Sequence, residues 1–310
     1  MTLSNAPLPL KNGVAPSVVH ITESGVVLLD FLIKRFPKIP SETWLARFAQ
    51  GEVINQKGEV LHAQRLTVLN DLVFYYREVA VEPLIPFTEQ ILYLDPHLLV
   101  VDKPHFLPVT PSGGFLQQTL LTRLRHTLSI EALSPIHRLD KDTAGVMLFA
   151  TQVATRGAYQ ELFQHKQVHK IYHALAPTRL DLSYPFTYES RLIEDKQQFF
   201  RMQESTGEPN TRTRITLLEN RGELSLYQLE PQTGKKHQLR AHMNALDMPI
   251  LNDAFYPVAH PAGKTDYDKP LQLLAKSISF VDPLTTEQRY FASPRHFYTL
   301  CTSTAPKSDN

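Results

Sequence analysis

The hydrophobic positions near the start of the chain first repeat at the spacing of a helix. Leu28, Phe31 and Leu32 fall on one helical face, and Pro37 follows where a proline breaks a helix. This pattern predicts a short amphipathic helix between residues 27 and 36.

A second helix is predicted from Ser41, whose hydroxyl suits the N-cap position. Trp44 and Phe48 supply its apolar face, and Gly51 is typical of the position just past a helix end. Short strand-like runs follow at residues 53–54, 60–61 and 73–76. The first part of the chain is therefore predicted to be a small α+β module.

Beyond this module the apolar positions favour strands over helices. Pro83 and Pro86 lie in a stretch without a clear period, which indicates a linker. Strands are predicted at residues 91–94, 98–103, 146–150, 170–176, 214–218 and 224–230, and a helix at 155–164. We therefore divide the chain into a module at residues 1–82 and a larger domain at 87–310, built on a mixed or mainly antiparallel sheet.

Composition and charge exclude some classes of protein. Hydrophobic residues make up 42% and charged residues 20%, which is ordinary for a globular protein. Thirty-two Lys and Arg balance thirty-one Asp and Glu, so a nucleic acid would have to be held by local clusters of charge. The one cysteine, Cys301, excludes an intrachain disulfide, and we interpret it as a structural or idle thiol.

Targeting signals are not visible in the sequence. Residues 1–10 lack a basic stretch followed by an apolar run, and no apolar run reaches the roughly 18 residues of a membrane helix. We expect a cytoplasmic protein that has no membrane partner.

The strongest chemical signal is a polar loop at residues 137–145, HRLDKDTAG, which runs directly into an apolar strand. A loop anchored to a strand can hold a carboxylate rigidly at a cleft. Taken alone, an Asp and a Thr before a Gly also form an ordinary capped turn, so the loop by itself does not establish a site.

Four segments, taken in order, resemble motifs of the RluA-type RNA pseudouridine synthases. The polar loop is similar to HRLDxxTSG, with Ala144 in place of the usual serine. The other matches are LVVDKP at 99–104, similar to the family's strand that leads to Lys-Pro, KIY at 170–172, similar to Lys-x-Tyr, and TGKKHQLRAH at 233–242, similar to TGRxHQIRxH. Together they span about residues 90 to 280.

The resemblance implies the α+β pseudouridine synthase fold, with a large mixed, mainly antiparallel β-sheet. It also implies an isomerase that breaks the N1–C1′ bond of a uridine in RNA, turns the uracil and rejoins it through C5, without a cofactor or a metal. Residues 20–78 resemble an S4-type module in element order alone, and a purely structural α+β module fits them equally well.

By the same resemblance, Asp140 matches the catalytic aspartate and Arg240 the arginine that pairs with it. Tyr172 matches the tyrosine that stacks on the target base and can help to move the C5 proton. A guanidinium beside a carboxylate favours its ionised form and fixes its direction. The sequence leaves open whether Asp140 attacks C1′ or removes a ribose proton. Outside the motifs, a surface arginine and a core tyrosine would be the ordinary interpretations.

Basic and polar residues beside these motifs are candidates for RNA contacts. Arg138 matches a residue that fills the space left by a flipped nucleotide or contacts its phosphate. The other candidates are Lys141, Lys170, Lys235, Lys236, His237 and Gln238, with Arg212 and Arg214 as further phosphate contacts. Individually, each is equally consistent with a solvated surface group.

The chain departs from the family pattern near the expected cleft. Lys235 replaces an arginine and loses its bidentate fork, His105 and Phe106 replace small residues, and Asn252 replaces a glycine. These changes leave Asp140, Tyr172 and Arg240, the Asp–Tyr–Arg set, intact. We therefore expect them to alter the rim of the cleft, and hence which RNA is accepted.

Two other functions fit part of the sequence. A metal-dependent hydrolase would use a cluster such as His137, Asp140, His237 and His242. His237 and His242 are five positions apart, however, whereas two ligands on one helix face are four apart. A catalytically silent, RNA-binding ribosome assembly factor is the non-enzymatic alternative, but binding alone would not require the Asp–Tyr–Arg set. We expect a monomeric enzyme that acts on ribosomal or transfer RNA.

Overall fold

The strands of the chain form two sheets, a small one near the N-terminus and a large one further along. The structure is a computed structural model that describes residues 7–79, 81–195, 198, 201–259 and 265–297. Cys301 lies outside these residues. No helix in the described part of the chain is both long and apolar enough to cross a membrane.

The small sheet packs against the two helices predicted from the apolar spacing. Its elements are β1 (Ser17–His20), α1 (Leu28–Arg35), α2 (Ser41–Ala49), β2 (Ile54–Asn55) and β3 (Leu72–Tyr75), with strand order β1–β3–β2. The prediction that Ser41 caps α2 is wrong by one position. Pro40, with extended backbone angles, is the N-cap, and the Ser41 hydroxyl bonds to Glu42. Gly51 follows the helix with φ +70°, which glycine adopts without strain.

Aromatic packing forms the core of this module. Trp44 is fully buried and meets Tyr75 edge to face, with ring centroids 4.9 Å apart. Arg47 is also buried, and its guanidinium lies 4.9 Å from the Trp44 ring centre and 5.3 Å from that of Tyr75. Because this cation faces aromatic rings, it does not contribute to a basic surface.

The large sheet is mixed and mainly antiparallel, as the apolar runs predict. Its elements, with the helices between them, are β4 (Gln90–Leu94), β5 (Leu98–Lys103), α3 (Leu120–Leu128), β6 (Ser134–Pro135), β7 (Ala144–Ala150), α4 (Val153–Gln164), β8 (His169–Pro177), β9 (Phe186–Glu194), β10 (Met202–Ser205), β11 (Thr211–Asn220), β12 (Leu224–Pro231), α5 (Gln238–Ala245), β13 (Leu273–Val281) and β14 (Gln288–Ala292). The order is β10–β9–β11–β12–β8–β13–β7–β5–β4, with β14 paired to β13 and β6 to β7. Among the described strands, β13 and β7 run parallel, and the other pairs are antiparallel.

Strands β5 and β7 are neighbours near the β4 edge of this sheet, and every residue of both is buried. One face packs against α3 through residues that include Leu120 and Leu124. The other packs against α4 through Tyr159 and Leu162. Because β7 directly follows the polar loop, that loop is anchored to a strand covered on both faces.

The parallel contact between β7 and β13 depends on a glycine. Gly145 pairs with Ala275 and has φ +115°. A Cβ at position 145 would lie 2.2 Å from the carbonyl oxygen of Ala275, so another residue would push the two backbones apart. Glycine at this point fixes where the polar loop ends.

Candidate active site

A cleft of about 1340 Å³ opens beside the loop between β6 and β7. Its walls come from the polar loop, from the segment at 163–172 where α4 leads into β8, and from the segment at 230–240 that leads into α5. Three of the four sequence motifs therefore line one cleft, although they are far apart along the chain.

The fourth motif supports the Asp140 loop from outside the cleft. Lys103 Nζ, at the end of β5, donates to the carbonyl of Lys141 at 2.9 Å. His105 Nδ1 donates to the carbonyl of Asp142 at 2.7 Å. The backbone on the C-terminal side of Asp140 is thus held by two side chains from one neighbouring turn, and 27% of the Asp140 side chain is exposed.

Lys103 is fully buried and makes three hydrogen bonds of 2.9 Å, to the carbonyls of Pro104, Leu107 and Lys141. Burial lowers its pKa to about 7, and the nearby carboxylates of Asp142 and Asp140 oppose that shift. Three carbonyl acceptors use all three hydrogens of the charged ammonium. Lys103 therefore joins its own turn to the Asp140 loop.

Arg240, in the first turn of α5, is 1% exposed and contacts two carboxylates. Its Nε and Nη2 donate to Asp253 at 2.7 and 2.6 Å, and its Nη1 donates to Oδ2 of Asp140 at 3.2 Å. Burial acts to lower the pKa of Arg240, but the hydrogen bond and charge of Asp253, together with the Asp140 charge, outweigh it and raise the pKa above its usual value. The guanidinium is a permanent cation beside Asp140.

His237 forms a neutral wall of the cleft next to Asp140. Its Nε2 lies 3.7 Å from Oδ2 of Asp140, and its ring stacks on Phe255 with centroids 5.5 Å apart. Burial lowers the pKa of His237 to about 4 despite the attraction of Asp140. At neutral pH the contact is therefore not an ion pair.

Tyr172 lies at the centre of the sheet, where β8 pairs with β12 and β13, and it lines the same cleft as Asp140. Burial raises the pKa of its phenol, and the Asp140 charge raises it further. The hydroxyl therefore keeps its proton at neutral pH. The structure thus brings Asp140, Arg240 and Tyr172 into one pocket.

The residues predicted to contact RNA divide into two groups. Those that line the cleft are Arg138, Lys170, Arg214, Lys235, Lys236, His237 and Gln238. Lys141 instead lies 3.5 Å from the carboxylate of Asp142, and Arg212 lies 2.9 Å from that of Glu189. These two pairs hold their basic groups outside the cleft wall.

Gln238 lines the cleft, but its amide is fully engaged in holding the wall together. It is 4% exposed, and its oxygen accepts from the hydroxyl of Thr233 and the backbone N–H of Lys235. Its nitrogen donates to the carbonyl of Arg212 and the hydroxyl of Thr213. We therefore assign Gln238 to the support of the segment at 230–240, since an amide with four partners has no capacity left for RNA.

Two histidines of the metal-site alternative are engaged elsewhere. The ring nitrogens of His242 lie 2.9 and 3.0 Å from the hydroxyls of Thr211 and Thr213. His137 Nε2 accepts from the backbone N–H of Leu148 at 3.1 Å. Within the residues that the structure describes, no group of three or more His, Cys, Asp or Glu side chains is arranged to hold a metal ion.

Asp253 is the site residue that the sequence analysis missed. It lies in the segment LNDAFY, where only Asn252 was singled out, as a departure from the family pattern. The available signal was a carboxylate in a largely apolar segment, since a carboxylate is rarely buried without a partner. The segment at 164–169 was also missed as a cleft wall, although polar residues directly before Lys170 pointed to it.

Comparisons with known proteins show which family this chain is similar to. Residues 97–245 match the model of a protein family described as RNA pseudouridylate synthase. The chain is 30% identical over 230 residues to the dual-specificity RNA pseudouridine synthase RluA of Vibrio vulnificus. This alignment covers 70% of this chain and 86% of that protein. It is 32% identical over 221 residues to the tRNA pseudouridine synthase C of Pasteurella multocida. That alignment covers 65% of this chain and 89% of that protein.

A solved structure resembles the fold. Human RNA pseudouridylate synthase domain containing 1 superposes with a TM-score of 0.57 at 25% sequence identity. The likeness covers 69% of this chain and 86% of that one.

Proposed function

Because this chain belongs to the RluA-type family of RNA pseudouridine synthases, we propose that it isomerises specific uridines of ribosomal or transfer RNA, with Asp140 as the catalytic carboxylate. The family, the fold class and the enzyme class expected from the sequence motifs are confirmed. The observation that carries the proposal for Asp140 is its 3.2 Å hydrogen bond to Arg240, inside a cleft that Tyr172 also lines.

The reaction begins with a uridine flipped out of its stack into the cleft. Basic side chains that line the cleft are assigned to the phosphates around that nucleotide, namely Arg138, Lys170, Arg214, Lys235 and Lys236. These cations are local, which suits a chain whose total charge is only +1. Base pairing and stacking lost on flipping are offset by these contacts and by stacking on an aromatic ring.

The chemical step needs the anionic form of Asp140, which the Arg240 guanidinium favours and directs. In one route the carboxylate bonds to C1′ as the N1–C1′ bond breaks and uracil leaves with the electron pair. In the other it removes a ribose proton as that bond breaks. In the first route C5 of the turned uracil displaces the carboxylate, so the C5–C1′ bond forms as the bond between C1′ and the Asp140 oxygen breaks. In the second, C5 bonds to C1′ and Asp140 returns the proton to the ribose. In both, the C5 proton is then lost and N1 is protonated, so the product is an isomer of the substrate.

Tyr172 is assigned to the detached base. Its protonated phenol presents an aromatic face and a hydrogen-bond donor, not a phenolate base. Stacking on this ring contributes about 1–3 kcal/mol and tolerates the rotation of the uracil.

The decisive variant is Asp140→Asn, which removes the anion at nearly constant volume. Pseudouridine formation is expected to fall by roughly 10²–10⁴-fold or more, with RNA affinity largely retained. Asp142→Asn is the matched control, because it makes the same change in the same loop where the carboxylate pairs with Lys141. Wild-type product yield from Asp140→Asn would refute the assignment, and RNA binding without product from the wild-type protein would favour the assembly-factor alternative.

The target uridine is identified by mapping pseudouridines in total cellular RNA, using a chemical stop at modified sites, with and without the intact gene. A position modified only when the gene is intact is the substrate. If the wild-type gene restores modification of that position and the gene for Asp140→Asn does not, the modification depends on this cleft.

A further inference from the structure

We propose that Asp253 is a positioning residue that shares the charge of Arg240 with Asp140, so that the guanidinium aims the Asp140 carboxylate without neutralising it. The inference rests on the proposed role of Asp140 and adds a second carboxylate to the site.

Asp253 is fixed more firmly than either of its charged neighbours. Its side chain is 0% exposed. Besides its two bonds to Arg240, its Oδ1 accepts from the backbone N–H groups of Phe255 at 2.8 Å and Tyr256 at 3.2 Å. A carboxylate held by four hydrogen bonds has little freedom to move, so it serves as the reference point for the guanidinium.

The contacts of Arg240 with the two carboxylates are unequal. The pair with Asp253 is bidentate at 2.6 and 2.7 Å, whereas Asp140 receives one bond of 3.2 Å. Short, charge-assisted bidentate pairs are the strong ones. The rings of Phe255 and Tyr256 also lie 5.0 and 5.7 Å from the guanidinium. Asp253 and these rings therefore set the orientation of Arg240, and Asp140 uses the remaining Nη1.

This inequality has an electrostatic consequence. A buried arginine with one carboxylate partner forms a tight pair, which makes that carboxylate a weaker base and a weaker nucleophile. Here Asp253 supplies the balancing charge, and Asp140 keeps a net negative charge beside a directed donor. Removing the Asp253 charge would leave Arg240 to act on Asp140 alone, which then ionises at a lower pH.

A purely structural role is the competing explanation, since Asp253 also caps the turn at 253–256. Asp282 offers a matched control for that role. It is 1% exposed, its Oδ1 accepts from the backbone N–H groups of Leu284 and Thr285, and its Oδ2 lies 3.4 Å from Nε of Arg289. Its partners lie outside the cleft wall, so Asp282→Asn breaks a similar turn without changing the charge around Asp140.

The test is a ¹³C NMR titration of the aspartate carboxyl groups in the full chain, with the Asp140 signal identified by its loss in Asp140→Asn. Asp253→Asn is expected to move the Asp140 midpoint down by about one pH unit and to slow single-turnover pseudouridine formation at least tenfold. Asp282→Asn should leave both unchanged. An unchanged or raised midpoint in folded Asp253→Asn would overturn charge sharing.

If Asp253→Asn does not fold, Asp253→Glu provides the same test. This variant keeps the negative charge but displaces the two bonds to Arg240. The midpoint of the Asp140 titration is therefore expected to stay near the wild-type value, and a downward shift of about one pH unit would overturn the proposal. Because the titration needs no RNA, its result is independent of whether Asp140→Asn abolishes activity. The two proposals can therefore fail separately.

Discussion

Gly145→Ala tests whether the close contact between β7 and β13 sets the position of the Asp140 loop. An added Cβ would lie 2.2 Å from the carbonyl oxygen of Ala275 and 2.7 Å from its nitrogen. Both are backbone atoms of a paired strand, so no side-chain rotation relieves the overlap. The positive φ of +115° adds strain that alanine does not tolerate well.

The free-energy cost of the substitution follows from this geometry. Ordinary contact of a Cβ begins near 3.4 Å, so the two strands must separate by about 1.2 Å. That separation weakens the pairing of Ala144 with Leu274 and of Gly145 with Ala275. Loss of these two pairings at about 1 kcal/mol each, together with roughly 1–2 kcal/mol of backbone strain, gives a destabilisation of about 3–4 kcal/mol. This is a large share of the roughly 5–15 kcal/mol that stabilises a typical protein.

The measurement is urea unfolding of Gly145→Ala and of a control, Gly157→Ala. Gly157 lies within α4, and a Cβ there would meet no atom within 4 Å beyond its own stretch of helix, so alanine should stabilise the protein by about 1 kcal/mol. At a temperature where both variants are folded, Gly145→Ala should also lose activity, because Asp140 lies five positions before it. The reasoning would be refuted if the free energy of unfolding of Gly145→Ala lay within about 1 kcal/mol of the wild-type value, which is roughly a tenth of the stability of a typical protein.

Two further outcomes follow from the buried polar groups. Lys103→Met should lower the free energy of unfolding by about 3 kcal/mol or more, because three carbonyls lose their donor, and an unchanged urea midpoint would contradict that role. Acid should destabilise the protein, because burial holds His105, His237 and His242 neutral with pKa values of about 4, whereas the unfolded chain protonates near 6.5. The stability from these groups is full above pH 6.5 and is lost as pH falls toward 4, so equal urea midpoints at pH 7 and pH 5 would count against it.

Much of the large sheet was predictable because its strands are short apolar runs between turn residues. The runs at 98–103 and 146–150 became β5 and β7, which are buried on both faces, so the stretches 98–101 and 146–150 carry no polar residue. The pairing of Asp140 with Arg240 was predictable only through the resemblance to a family, since 100 positions separate them.

Other features of the site depend on tertiary contacts that no local pattern encodes. Gln238 and Lys141 are both polar groups beside a motif, but burial and ion pairing decide whether they face the cleft. Phe106, in the turn that follows β5, adopts φ +65°. Contacts with Phe87 at 5.8 Å and Tyr267 at 5.2 Å hold it there, and these partners lie in distant parts of the chain.

The Asp140 carboxylate is held by two sets of contacts that act on different atoms. Lys103 and His105 bind carbonyls that follow Asp140, so they fix the backbone. Arg240, itself held by Asp253, binds the carboxylate and fixes its direction and charge environment. Loss of a backbone tether exposes unpaired carbonyls and should reduce stability and activity together. Loss of the Asp253 charge alters the electric field at Oδ2 of Asp140, so it should change the ionisation of Asp140 in a protein that remains folded. The two kinds of variant therefore distinguish contacts that support the chemistry of Asp140 from contacts that support the structure of its loop.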